Sequence, residues 1–420
     1  MKQSLLIIIL AIGWITGFAQ EPESDKTWKI DSIQIKKNWR TRDKIVLREL
    51  QLKPGDEVDQ HCLETSMSQI WNIGNFAHVD YSLDSISDDG YLLNITAKDA
   101  FMLMPIFSFN GNKNDFNLSL GVKDNNFLGR NITLDVAGSL GTYGKNYNFG
   151  IEIPRQLLYK NMTLSFQALN GNGNNYRYDG KDKTSVVAYR KKQFSGNIGN
   201  PWHTDYNYTF SPNLSWNLFQ HDTDTTLIDT DVPFAPDYKV NYFALGLGES
   251  IGLINRKRHQ QDGYSISLSY GVGIGLDKNS PFYQTAGLGA VYYKLFNPVV
   301  EFSTRFSTGY TTATLPSLIT YLGPGHIKGL LTGEESGQGY YSGSVNGSFT
   351  YINRNWFALE QTIYTNFGKA GDKYFNIYKN MPRVSFGTEF RIWTPMVPWL
   401  SASVHFTWLK GSNNWFYLNI

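Results

Sequence analysis

The chain has 420 residues, 18% of them charged, with a formal net charge of +2, which is too small to point to nucleic acid as a partner. Its one cysteine, Cys62, excludes an intramolecular disulfide and a cysteine-rich metal centre, and its seven scattered histidines offer no metal-ligand spacing. The 26 Tyr, 26 Phe, 11 Trp and 39 Gly instead favour β-structure with belts of interfacial aromatics.

Residues 1–19 read as a secretory signal. Lys2 is the positive end, Leu5 to Ile15 the apolar run, and Gly17-Phe18-Ala19 the small-residue exit. The run is shorter than the roughly 20 residues a span needs, and no cysteine near the exit invites a lipid. Residues 20–26 are a leader. No later segment is apolar for about 18 residues, so an exported chain of this kind is either soluble or a β-barrel.

Residues 27–99 have a mixed pattern. Ile30, Ile33 and Ile35 predict a strand, and Thr41 to Leu50 a helix with Thr41 as N-cap. Lys53-Pro54-Gly55-Asp56 predicts a turn. After Asp59, Leu63, Met67, Ile70 and Trp71 share one helical face, with Gly74 placed to end the helix and Cys62 expected as a small buried side chain. Two strands, Ala77 to Leu83 and Tyr91 to Ala97, complete the order β-α-α-β-β. This order, the Lys53 turn, and "IWNIGNFAHVDYSL" with Gly74, Phe76 and Val79 resemble a polypeptide-transport-associated (POTRA) domain. The resemblance implies a small periplasmic α+β domain that binds clients and partners by strand addition to its sheet edge.

From 101 to 420 strand follows strand. In Tyr264 to Leu276 the even positions are Tyr264, Ile266, Leu268, Tyr270, Val272, Ile274 and Leu276, and the odd ones only Ser and Gly. Phe116, Leu118, Leu120 and Val122 repeat the pattern, as do Ile132, Leu134 and Val136; Tyr147, Phe149, Ile151 and Ile153; Met162, Leu164 and Phe166; and Tyr206, Tyr208 and Phe210. In Val300 to Ser307 the other face carries Glu301, Ser303, Arg305 and Ser307. A strand crosses a bilayer in about 9 to 11 residues, and a face polar throughout suits a wet lumen. The expectation is an all-β transmembrane β-barrel of about sixteen antiparallel strands. Links near 124–130, 154–160, 199–203, 295–298, 352–354 and 394–397 are expected to be short. Links near 169–183, 219–237, 310–338 and 368–381 are expected to be long, and 251–262 is a long member of the short class.

No dinucleotide-binding glycine motif opening a helix and no P-loop occurs, so the chain is not read as an enzyme and no cofactor is expected. Glu334-Glu335 is expected to be solvated.

Three further stretches, in order, resemble the BamA/TamA-type outer-membrane assembly and translocation superfamily. Gly121 to Gly141 resembles its hairpin between strands two and three. "YLGPGHIKGL" (Tyr321 to Leu330) falls at its sixth outside loop, where Ile327-Lys328-Gly329-Leu330 is similar to V/I-R-G-F/Y. Met381 to Phe406, through Arg383, Ser385, Gly387, Trp393, Pro395 and Pro398, resembles its closing strands. The resemblance implies that Lys328 folds into the lumen to pair with an acidic wall residue, with Glu360 and Glu389 as candidates, though without the planar fork of arginine. It also implies a seam between a first strand, Met102 to Asn110, and a last, Asn413 to Ile420. Pro105 and Phe107 lie on one side of it and Phe416, Leu418 and Ile420 on the other; Pro105 lacks a ladder donor.

The implied function is insertion or export of client proteins at the outer membrane through sideways opening of this seam. With room for one POTRA domain, the chain reads as a specialised or accessory member. The alternatives are a dedicated two-partner-type secretion pore for one exported protein, and a structural or diffusion porin. The implied partners are client outer-membrane or exported proteins, outer-membrane lipid, and periplasmic or lipoprotein accessory subunits.

Overall fold

The computed structural model describes residues 27–420 apart from 37, 88–89, 112–115, 143, 155–161, 180–181, 200–201, 206–207, 211, 228–230, 258, 355, 373, 395–400, 411–415 and 420. The expected signal and leader, Pro395, Pro398 and Ile420 lie outside the described residues.

The N-terminal region runs β1 (Trp28–Lys36), α1 (Asp43–Leu47), β2 (Glu57–Val58), α2 (Gln60–Asn72), β3 (Phe76–Ser85) and β4 (Gly90–Asp99). The sheet order is β2-β1-β4-β3, with β1 and β4 parallel and the other pairs antiparallel. Asp59 caps α2 by accepting from the Cys62 amide at 2.7 Å, a bond typically worth about 1 kcal/mol. Leu63, Met67 and Ile70 come round to one face at intervals of four and three residues and are buried against Ile30, Phe76, Leu93 and Ile95. Cys62 is half-buried at the edge of this core. Gly74 follows the helix at φ +79°, and Phe76 and Val79 are buried in β3.

The first helix is shorter than the pattern predicts, and Thr41 does not cap it. The Thr41 hydroxyl donates to Asp99 Oδ1 instead and accepts from Asn126 Nδ2 at 2.7 Å. A longer-range partner has taken the side chain that local sequence assigns to the helix end.

The rest is a closed antiparallel barrel. Its strands begin β5 (Leu103–Gly111), β6 (Phe116–Phe127), β7 (Ile132–Gly141), β8 (Gly144–Ile153), β9 (Thr163–Asp179) and β10 (Asp182–Gly199). A small hairpin, β11 (Trp202–Asp205) and β12 (Tyr208–Phe210), precedes β13 (Asn213–Thr223), β14 (Lys239–Ile251) and β15 (Ile254–Lys257). Then come β16 (Gln260–Gly275), β17 (Tyr283–Asn297) and β18 (Val300–Thr311). After an inserted loop hairpin, β19 (Thr320–Leu322) and β20 (Glu335–Gly337), the wall resumes with β21 (Gly339–Asn353) and β22 (Ala358–Gly371). A short helix α3 (Tyr374–Ile377) leads to β23 (Arg383–Trp393), β24 (Ser401–Leu409) and β25 (Phe416–Asn419), which meets β5.

Alternation decides which side chains face out. Ile266, Leu268, Tyr270 and Ile274 of β16 are exposed on the outer face, as are Leu120, Val122, Val136 and Phe149. The opposite parity carries Ser303, Ser342, Ser348, Asn366, Glu389 and His405, all buried inside.

Three expected links are different in the structure. Residues 169–183 are mostly strand, because β9 and β10 pair from Thr163↔Gly199 out to Asp179↔Asp182. Their Asn and Gly content resembles a loop, but a ladder is made by backbone groups and needs no apolar side chains. The 199–203 link is the start of the β11–β12 hairpin, while β10 pairs directly with β13. The 251–262 stretch continues β14 as β15, which returns tightly into β16 through Lys257↔Gln260.

Candidate functional site

The loop between β18 and β21 (residues 312–338) turns back against the inner wall. Leu322, Ile327 and Leu330 are fully buried and pack with Ala370 and Leu409. These apolar neighbours hold Lys328 between them. Gly329 has φ +92°, a backbone region that a side chain with a Cβ rarely adopts, so glycine lets the chain reverse right after the lysine.

Lys328 Nζ lies 2.8 Å from His405 Nδ1, 3.8 Å from Glu389 Oε2 and 5.2 Å from the centre of the Tyr364 ring. An ammonium can only donate, so His405 Nδ1 accepts and its proton sits on Nε2, 2.9 Å from Ser403 Oγ. Glu389 Oε1 takes two N–H groups of Arg391, from Nη2 at 2.7 Å and Nε at 2.9 Å. That leaves Oε2 facing Lys328 and, at 3.4 Å, His405. The β23–β24 register sets Glu389 directly opposite His405. Tyr364 reaches the cluster because Gly387 lies opposite it, and a Cβ at 387 would meet the Tyr364 hydroxyl at 2.7 Å.

Of the two acidic candidates, Glu389 faces Lys328. Glu360 lies further along the wall, 3.8 Å from His259 Nε2, and accepts from Thr362 Oγ1 at 3.3 Å. Glu334 and Glu335 are not solvated. Glu334 accepts from the Leu331 amide at 2.7 Å and lies 3.6 Å from Arg383, and Glu335 takes Lys369 at 2.9 Å. Together these carboxylates secure the C-terminal part of the loop to the wall, a role that adjacency in a glycine-rich stretch does not reveal. His405 carries no motif; its only sequence signal is its place in the polar alternation Ser403, His405, Thr407.

The seam is the second feature. β25 and β5 share two register pairs, Leu418↔Gly111 and Asn419↔Asn110. On its other side β5 pairs with β6 at nine positions, from Leu103↔Asp124 to Gly111↔Phe116. Among the described residues, Leu103 to Phe109 have no partner across the seam. Leu103, Pro105 and Phe107 are exposed on the outer face of this edge, Phe416 is exposed and Leu418 half-buried.

The third feature joins the two regions. Arg40 Nη2 lies 2.6 Å from Asp124 Oδ2, the Arg42 amide donates to Gly129 O at 3.1 Å, and Asn75 Nδ2 donates to Asn131 Oδ1 at 2.7 Å. The hairpin that carries the family-like stretch from Gly121 to Gly141 is therefore where the N-terminal region docks. At the same end of the barrel, Trp71 and Gly74 line a cavity of about 290 Å³ together with Arg256, His259, Glu360 and Trp393.

A closed antiparallel wall, apolar outside and polar within, defines a transmembrane β-barrel; no helix among the described residues is long and apolar enough to cross a membrane. The chain belongs to the Omp85 superfamily, whose domain model matches residues 126–408. It shares its fold with BamA from Haemophilus ducreyi lacking POTRA domains 1-3, at 15% identity and a TM-score of 0.54, over 94% of this chain and 84% of that one. It is also similar to CdiB from Escherichia coli (11% identity, TM-score 0.61, 94% of this chain and 76% of that one). CdiB from Acinetobacter baumannii matches at 12% identity and a TM-score of 0.55, over 93% and 73%. Membership places the chain among outer-membrane barrels that insert or translocate proteins, a superfamily of transporters and assembly factors rather than enzymes.

Proposed function

We propose that this chain is a specialised member of the superfamily, with a POTRA domain before its barrel, that inserts or exports client proteins by sideways opening of the β5–β25 seam. Counting β14 with β15 as one stave, and leaving out the β11–β12 hairpin, the described strands are read as a wall of sixteen staves. The sheet β2-β1-β4-β3 with its two helices is the POTRA domain, lying on the periplasmic side with its β3 edge free for a client strand. Lys328 acts as the internal latch of the sixth outside loop, with Glu389 as its acidic partner and His405 as its direct acceptor.

The observation that carries this reading is the contrast across β5, with nine register pairs on one side and two on the other among the described residues. A strand with free backbone groups beside an apolar edge is a template for an incoming strand. Lipid flanks that edge, and accessory subunits would engage the periplasmic domain. A dedicated secretion pore is the second reading, and the polar lumen cavity of about 670 Å³ lined by Glu301, Arg305, His326 and Asn346 supports it.

Depletion followed by outer-membrane proteomics tests the choice. Broad loss of barrel proteins is expected for assembly, whereas loss of one surface or secreted protein would move the assignment to dedicated export. Paired cysteines at Asn110 and Asn419, oxidised across the seam, are expected to abolish activity reversibly. Undiminished activity in the locked barrel removes lateral opening from the mechanism.

A further inference from the structure

The segment 38–42 lies against the outside of the barrel wall. Along β6, Leu120 and Val122 face outward, opposite the exposed Phe107 and Pro105 of β5. Asp124 has the same parity and is paired with the exposed Leu103, yet it is only 7% exposed itself. Arg40 covers it, at 2.6 Å. The N-terminal region thus reaches round the base of the wall and neutralises an outward-facing carboxylate at the edge of the lipid-facing band.

Residues on either side of this contact are apolar and uncovered. Trp39, next to Arg40, is 68% exposed, and Leu128, next to the Gly129 carbonyl that receives the Arg42 amide, is 60% exposed. Phe101 is exposed two residues beyond Asp99, whose carboxylate accepts from the Arg40 and Thr41 amides at 2.7 and 3.1 Å. Arg42, Lys44 and Arg130 are exposed around them, while the one exposed carboxylate in this segment, Asp43, accepts from Asn38 Nδ2 at 2.5 Å. Aromatic side chains with a cationic rim, continuous with a lipid-facing wall, match the headgroup layer of a bilayer.

We infer that Trp39, Leu128 and Phe101 form a membrane foot. It seats the N-terminal region in the headgroup layer of the leaflet on its own side, beside the seam, with Arg42, Lys44 and Arg130 meeting lipid phosphates. The foot holds the region against the membrane as well as against the barrel. This inference rests on the outer-membrane location and not on lateral opening or the latch.

The test uses the full chain in a Cys62→Ser background, reconstituted in phospholipid nanodiscs. A bimane label is placed by Trp39→Cys or, as the control, by Lys53→Cys in the exposed turn before β2. Lipids brominated at the top of the acyl chain are expected to quench the label at position 39 at least twofold more than at 53, with aqueous iodide showing the reverse order. Equal quenching at both positions overturns the foot. Because the label replaces the indole, hydrogen exchange of segment 38–47 is compared between the unlabelled wild type and Trp39→Ser. An increase of at least threefold is expected in nanodiscs containing anionic lipid, and unchanged exchange also overturns the proposal. If zwitterionic and anionic nanodiscs give the same protection, the cationic rim of Arg42, Lys44 and Arg130 does not select anionic headgroups and that part of the proposal is overturned.

Discussion

The barrel is closed all round, yet two parts of its wall are closed by very different means. Between β22 and β23 eleven register pairs run from Ala358↔Trp393 to Gly368↔Arg383, and the loop containing Lys328 is fastened to their inner face by Lys328, Glu334 and Glu335. At the β5–β25 seam, among the described residues, two register pairs do the same topological job, with apolar side chains outside. Among the described residues, a single architecture thus contains a wall held by ladder, loop and ions together, and a wall joined through the ends of two strands. Opening free energies follow such differences, ranging from near zero at weakly held edges to the global value in a core.

Hydrogen exchange would read the comparison most directly. Amides of β5 that lack a seam partner are expected to exchange about a thousandfold faster than those inside β22 and β23, equivalent to roughly 4 kcal/mol. Equal protection would erase the distinction between the two walls. The next largest effect is expected from Glu389→Ala. It leaves Lys328 and Arg391 without their shared carboxylate, and losing such a charged hydrogen-bond acceptor costs about 2–3 kcal/mol. Limited proteolysis should then cut within 312–338 while the barrel keeps its heat-modifiable mobility on gels. Smaller again is Lys328→Ala, which gives up a charged hydrogen bond worth about 1–2 kcal/mol. Activity or loop protection is expected to fall with the barrel still inserted, and Lys328→Arg should retain both. Full activity and an uncut loop in Lys328→Ala would show that the apolar contacts of Ile327 and Leu330 hold the loop unaided.

The alternation of Tyr264 to Leu276 makes β16 readable because one face meets an apolar surroundings and the other does not. The Asp59 cap is readable because a helix start is a local event. Lys328 stands out because a lone cation among glycines marks a place where the chain must turn. His405, however, reaches Lys328 across 77 positions through strand register, and register is absent from any short window of sequence. Arg40 and Asp124 meet in the same way, across two regions that each look complete alone. The outer parts of β9 and β10 were hidden for a different cause. Beyond the lipid-facing band Val186, Val187 and Ala188 are buried in succession, so both faces are covered there and the period-two signal disappears while the ladder continues.

The β9–β10 hairpin also sets a height. Its longer strand has 18 residues, which at about 3.3 Å each extends to roughly 60 Å. Tilted by about 40°, it rises roughly 45 Å, against an apolar band about 25 Å tall. Some 20 Å of the hairpin, by that rough measure, stands past the bilayer on one or both sides. The Val186 amide and carbonyl bond to Pro233 and Ala235, so the neighbouring loop braces the ribbon on its way up. Gly333 of the loop that carries Lys328 lies against Tyr176 of the same hairpin, and Val186, Val187 and Ala188 are buried, so ribbon and loops form one joined cap over that part of the wall.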